Sequence, residues 1–179
     1  MSASGPYRRR SARVLLLDRA GRILLLRFRF TPADPEPRYG WVTPGGGVRD
    51  GEPLAHAAAR ELHEEIGLTV TPAQLGRPVA HTAGYADLGW ARGVFRDDFF
   101  HLRVDGHEVD TGRMEALERD HHAGHRWWSL DELAAAVEVV YPFGLGPLLA
   151  DLRAGRRPPR PVRLPWQHDP ANGSSTPPA

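Results

Sequence analysis

The stretch from Trp41 to Leu68 restricts the fold of this chain more than any other. It reads WVTPGGGVRDGEPLAHAAARELHEEIGL. Pro44 followed by Gly45, Gly46 and Gly47 cannot stay in regular structure for long, because glycine gives up the most backbone freedom when it is ordered. Leu54 to Ile66 is the reverse, a run built from Ala, Leu and Glu that favours a helix. Gly67 is well placed as the left-handed residue that ends it. Here the chain passes from a glycine run into a helix that ends at Gly67.

The helix also carries an unusual charge pattern. At about 100° per residue, Leu54, Ala58, Leu62 and Ile66 form an apolar stripe, and Glu61, Glu64 and Glu65 fall within an arc of about 100° on its flank. Like charges three and four residues apart repel by roughly 0.2–0.5 kcal/mol per pair. Three clustered carboxylates suit a hard divalent cation, Mg²⁺ or Mn²⁺, which takes oxygen ligands and often shares them with substrate phosphates. The glycine run lets backbone groups approach an ion or a phosphate closely. The parts point to metal-assisted chemistry on a phosphate compound. For an isolated E-x-x-E-E the plain alternative is a solvated acidic face with local pairs such as Arg60 with Glu64.

Composition narrows the field. The 179 residues make one domain of ordinary size. Twenty-three basic residues, all arginine, against 22 acidic ones leave a formal charge of +1. That is not the field of a general nucleic-acid binder. The absence of lysine excludes Schiff-base chemistry, and the absence of cysteine excludes disulfides, thiolate nucleophiles and Cys-ligated zinc. The longest apolar run near the N-terminus, Val14 to Leu17, is too short for a signal peptide or a membrane span, so Arg8, Arg9 and Arg10 read as part of a solvated arm. A soluble cytoplasmic protein is expected.

Around the central helix the pattern predicts strands and short helices. Ser11 to Leu17 and Ile23 to Phe30 read as a hairpin about Asp18–Gly21. Along the second strand Leu24, Leu26, Phe28 and Phe30 share one face, and Ile23, Leu25, Arg27 and Arg29 the other. Thr31 to Gly40, with three prolines, is a loop. Short strands are expected around Leu68 to Thr71, Pro78 to Tyr85 and Phe99 to Val104, with Trp90 to Phe95 as a pairing partner for the last. Asp105 to Gly124 is loop-like, with one helical turn around Met114 to Arg119. His125 to Trp128 is a strand, Ser129 caps a helix from Leu130 to Val139, and a last helix covers Pro147 to Arg153. The expected organisation is a flexible arm over 1–9, a domain over 10–155, and a largely flexible Pro/Arg-rich tail over 156–179, ordered at most through Val162, Leu164 and Trp166.

The spacing around the acidic helix is specific. Gly46, five residues, Glu52, seven residues, Arg60-Glu61-Leu62, one residue, Glu64-Glu65, one residue and Gly67-Leu68 resembles, position for position, the signature of the Nudix hydrolase family (MutT-like). Trp41-x-x-Pro44-Gly45-Gly46 matches its usual lead-in. The resemblance covers about 23 residues, and the order of strands and helices around them also fits. It implies an α/β fold, an α/β/α sandwich around a mixed sheet. It also implies hydrolysis of a nucleoside diphosphate linked to another moiety (a nucleoside triphosphate, a nucleotide sugar or a dinucleotide), by water attack at phosphorus with Mg²⁺ or Mn²⁺.

Carried onto this sequence, the resemblance makes Glu64 and Glu65 the principal metal carboxylates. Glu61 becomes a further ligand or the group that activates water, and the Gly46 carbonyl an extra ligand. Arg60 would be structural, pairing with Glu52. His125-Arg-Trp-Trp-Ser-Leu-Asp-Glu-Leu133 resembles the strand-to-helix ending of bacterial members. Relatives are often dimers, so a homodimer is a further expectation.

Outside the signature, Glu118 and then Glu115 are the best placed for a catalytic base, with Asp97 and Asp98 as weaker rivals. Arg27 and Arg29 can grip a phosphate bidentately or simply face solvent at a strand end. His121, His122 and His125 read as surface or substrate-facing residues rather than zinc ligands. Trp41, Trp90, Trp127 and Trp128 can stack a base, but core packing suits most of them better. Two other classes were weighed against a small-nucleotide hydrolase. A non-catalytic nucleotide sensor fits less well because the signature is intact. An RNA-end processing enzyme is disfavoured by the small net charge, which still permits a local groove.

Overall fold

The computed structural model describes residues 7–30, 36–88 and 91–168. Among them, nine strands join one mixed sheet. They are β1 (Arg9–Leu17), β2 (Ile23–Arg29), β3 (Tyr39–Val42), β4 (Gly45–Gly47), β5 (Ala80–Asp87), β6 (Arg92–Arg103), β7 (His122–Trp128), β8 (Val139–Tyr141) and β9 (Val162–Arg163). The helices are α1 (Leu54–Ile66), α2 (Pro72–Leu75), α3 (Ala116–His121), α4 (Leu130–Ala134) and α5 (Leu145–Arg153). The order is β8-β3-β2-β1-β6-β5-β9, with β4 also on β1 and β7 also on β2. The β1–β6, β3–β8 and β5–β9 pairs are parallel and the rest antiparallel.

β1 and β2 meet in register at Leu17 and Ile23, beside the turn that joins them. Beyond that point they separate: β1 continues against β4 and β6, and β2 against β3 and β7. The sheet therefore curls into two parts that share one corner.

Alternation along β1 and β2 builds two cores. Ala12, Val14, Leu16, Leu24 and Leu26 pack with Ala57, Ala58, Leu62 and Ile66 of α1 and Leu75 of α2. Leu15, Leu17, Ile23 and Leu25 pack on the other face with Leu145, Leu148, Leu149 and Leu152 of α5, and Leu130 and Leu133 of α4 lie against this group. Helices thus cover both faces, the expected α/β/α arrangement. α1 has the predicted bounds, and Gly67 ends it at φ 70°.

Several local expectations are corrected. Leu68 to Thr71 forms no strand; Thr71 instead caps α2 through a reciprocal bond with Gln74. Arg92 to Arg103 is one continuous strand, so Phe95 and Phe99 lie on the same strand rather than on a pair; Trp90 lies outside the described residues. The helix after Ser129 stops at Ala134, and Val139 leaves it for β8, because the edge of β3 offers a parallel partner to a β-branched segment. The glycine run, short as expected, is a strand that pairs Gly45–Gly47 with Ser11–Arg13.

The segment after Arg156 is docked as far as residue 168. β9 extends the sheet at β5, and Leu164 is buried in the α5-side core. Trp166 Nε1 donates to the Tyr85 carbonyl at 3.0 Å. At the other end, Arg9 already belongs to β1, and the Arg8 amide donates to the Val94 carbonyl at 2.7 Å. No helix among the described residues is long and apolar enough to cross a membrane.

Candidate active site

The site forms where the glycine strand runs beneath α1. Glu61 and Glu65, one turn apart, both point inward and are 5% and 3% exposed. Glu118, in the first turn of α3, joins them: one carboxylate oxygen from each of the three lies within 4.8 Å of the other two. Among the described residues this is the group of three or more such side chains close enough to share an ion.

The backbone fits closely around these carboxylates. The Gly45 amide donates to Glu65 Oε2 at 2.6 Å. A Cβ on Gly46 would lie 2.8 Å from three atoms of the Glu61 carboxylate and would displace it, and a Cβ on Gly45, at φ 130°, would lie 2.3 Å from the Ala12 carbonyl oxygen of the neighbouring strand, so glycine is required at Gly45. Arg13 fixes the strand's position by donating to the carbonyls of Thr43 and Gly45, both at 3.0 Å.

Arg60 ties the loop to the helix. It donates to both Glu52 oxygens at 2.9 Å, to the Gly47 carbonyl at 2.9 Å, to Glu61 at 2.7 Å and to Glu64 at 2.9 Å. Glu64 therefore sits at the rim, shared with Arg49 at 3.5 Å, and is not part of the three-carboxylate group.

The electrostatics follow from burial. The Arg60 guanidinium, helped by the Arg49 amide, holds Glu52 down to about 2. Burial pushes Glu61 up, against the pull of Arg60. Burial pushes Glu65 well up, opposed chiefly by the Gly45 amide. Glu118 is raised by burial first and by Glu115 second. Three carboxylates in one small volume, each resisting ionisation, are what a shared cation would relieve. The donors are all hard carboxylate oxygens, close enough to share one ion, so the residues fit Mg²⁺ or Mn²⁺.

The other residues singled out in the sequence lie elsewhere. Arg27 is on the sheet face opposite α1, where it pairs with Glu138 and stacks over Tyr39 at 3.9 Å. Arg29 follows it on the same face of β2, opposite Tyr39. Neither is brought to the carboxylates. Glu115 caps α3, and its carboxylate is 4.0 Å from Arg49. Asp97 lies 3.8 Å from Arg13, and Asp98 is buried beneath Arg10 and Arg96. His122 and His125 stack on each other at 6.4 Å, beside Phe28. Trp41 and Trp128 pack edge to face at 4.9 Å in the α5-side core, and Trp127 packs against the α1-side core. Arg13 and Arg49 escaped the sequence reading. The only trace of Arg13 is a charge set between Ala12 and the apolar run Val14 to Leu17.

Comparison with known proteins agrees with this geometry. A family model described as NUDIX domain matches residues 7–145. An RNA pyrophosphohydrolase of Caulobacter vibrioides is 35% identical over 151 residues, covering 79% of this chain and 81% of its own length. One of Azorhizobium caulinodans is 30% identical over 136 residues, 72% of this chain and 80% of its own. Among solved structures, the MutT protein of Methanosarcina mazei superposes with a TM-score of 0.56 at 21% identity, covering 86% of this chain and 98% of the other. The dihydroneopterin triphosphate pyrophosphohydrolase of E. coli gives 0.56 at 20% identity, covering 84% and 99%.

Proposed function

Because this chain belongs to the Nudix family and is a Nudix pyrophosphohydrolase, we propose that it cleaves the phosphoanhydride of a nucleoside diphosphate carrying a further group, in a reaction that needs Mg²⁺ or Mn²⁺. The observation that carries the reading is the convergence of Glu61, Glu65 and Glu118 against the glycine strand.

Glu61, Glu65 and Glu118 would hold the cation, with Glu64 and the Gly46 carbonyl at its margin. When bound, the ion supplies positive charge for the diphosphate oxygens and lowers the pKa of bound water. Arg60 keeps Glu61 and Glu64 in place and, with Glu52, holds the loop against α1. Arg13 and the Gly45 amide keep β4 flat beneath Glu65. Glu118, raised by burial, is the group we assign to accept the proton of the attacking water. The water oxygen bonds to phosphorus as the bridging P–O bond breaks, and the leaving phosphate carries away that electron pair.

We place the choice among small nucleotides in the irregular segment over 105–115 and in the segment before β3, of which residues 31–35 lie outside the described residues. A second reading, action on the 5′ end of RNA, draws on relatives whose names give RNA as their substrate. A cytoplasmic location and a homodimer belong to the same proposal, the first drawn from the short apolar runs of the sequence and the second from the family resemblance alone.

A panel of nucleoside triphosphates, nucleotide sugars, dinucleoside polyphosphates and 5′-triphosphorylated RNA, with Mg²⁺ present, tests the proposal by phosphate and pyrophosphate release. Glu65→Gln should nearly abolish turnover, and Glu64→Gln should lower it less, while circular dichroism shows an intact fold. Wild-type turnover in Glu65→Gln at saturating Mg²⁺ would overturn the metal assignment.

A further inference from the structure

One charged cluster on the α1 side of the sheet has no part in the site described above. The registers place it directly beside that site: Gly46 of β4 stands opposite Ala12 of β1, Ala12 opposite Asp98 of β6, and Asp98 opposite His81 of β5. Glu61 lies over Gly46 and Ala12 packs in the α1-side core, so this row faces the same way as the carboxylates. From Gly46 to Asp98 is two strand spacings, about 10 Å.

Asp98 is 2% exposed and anchors two arginines. Arg10 Nε donates to its Oδ2 at 2.7 Å, and Arg96 Nη2 to its Oδ1 at 2.8 Å. Arg96 also reaches the Tyr7 hydroxyl at 3.4 Å and is mostly covered. Arg10 is 40% exposed, and its two terminal nitrogens have no hydrogen-bond partner among the described residues. Two guanidiniums against one carboxylate leave one net positive charge. A buried acid held by two arginines fixes the orientation of an arginine fork whose free end faces outward, a geometry suited to a phosphate.

We propose that Arg10, oriented by Asp98 and supported by Arg96, binds a second phosphate of the substrate, one lying about two strand spacings from the diphosphate that is cut. The inference rests on the pyrophosphohydrolase reading of the carboxylate site and narrows its substrate class: the preferred compound carries a further anionic phosphate beyond the scissile bridge. Two sources supply that chemistry, the next phosphodiester of an RNA 5′ end and the distal phosphates of a dinucleoside polyphosphate. The arginine run at the start of β1 thereby has a role that a solvated arm does not explain.

Equilibrium binding, read by calorimetry with Ca²⁺ in place of Mg²⁺ so that the ligands are not consumed, tests this without relying on turnover. One arm compares the dinucleotide pApA with its uncharged methylphosphonate-linked counterpart, and the other compares diadenosine tetraphosphate with diadenosine diphosphate. In at least one arm the more highly charged member should bind about tenfold more tightly. Arg10→Gln should remove that advantage, and Arg10→Lys should restore part of it. Arg96 remains in both variants to neutralise Asp98, so the fold survives. An advantage in the first arm alone assigns the subsite to a nucleic-acid phosphodiester, and in the second alone to a polyphosphate. Equal binding within both pairs, or an advantage that survives Arg10→Gln, overturns the proposal. Failure of the carboxylate reading is distinct: it would appear as wild-type turnover in Glu65→Gln, whatever the binding ratios.

Discussion

Arg60 satisfies three carboxylates and one carbonyl with a single guanidinium. A lysine ammonium is a point charge and cannot span that fork. Arg60→Lys should therefore cost about 2 kcal/mol of stability, read by urea unfolding, and lower kcat with it, because Glu61 loses its orientation. A second residue-scale consequence concerns His101, whose buried ring, near Arg157 and Arg103, has a pKa lowered to about 4. The unfolded chain takes up that proton near pH 6.5, and the native state resists until about pH 4. Its contribution to stability is thus fully present above pH 6.5 and is lost as pH falls through 4. Thermal melts across that window should show a steeper loss in the wild type than in His101→Leu. Comparing the two variants cancels the raised carboxylates of the site, which titrate in the opposite sense in both. At this scale the sequence is a good guide where chemistry is local. The family resemblance implies the pairing of Glu52 and Arg60, and the triplet Glu61, Glu64, Glu65 foretells an acidic site. Glu118 and Arg13 are harder to find, because a loop and a distant strand bring them in.

Elements tell a similar story. α1 is legible to the residue because alanine, leucine and glutamate favour one state and Gly67 ends it. The faces of β2 are legible because alternation forces them. β4 and β8 are not legible: three glycines and a Val-Val-Tyr segment become strands only because β1 and β3 present open edges to them. The same holds for β9, a two-residue strand that exists because β5 has a free side. The docked segment through residue 168 leads us to place the end of the folded unit beyond Gly155. Truncation after Gly155 would remove Leu164, buried at 4%, together with the Trp166 bond to Tyr85. We expect that truncation to cost about 2–3 kcal/mol from the leucine alone, visible as a lower melting temperature.

At the scale of the whole molecule, the charge sum of +1 conceals separation rather than neutrality. Carboxylates gather at α1 and α3, while arginines hold the strands beside them. The α/β/α layering was legible through the family resemblance, and the alternation along β1 and β2 is what gives each helical layer its own core. The split course of β1 and β2 was not, since it depends on which distant strands claim their remaining edges. That split has a mechanical consequence. The two parts of the sheet pair with each other at one corner, Leu17 against Ile23, and are otherwise joined by the side chains of the two cores. Glu61, Glu65 and the glycine strand belong to one part; Glu118 belongs to the other, through α3 and β7. An ion gripped by all three is a latch across the open side. Adding Mg²⁺ should therefore slow amide hydrogen exchange in β2 and β7 as well as in α1, whereas an ion confined to one part would protect α1 alone.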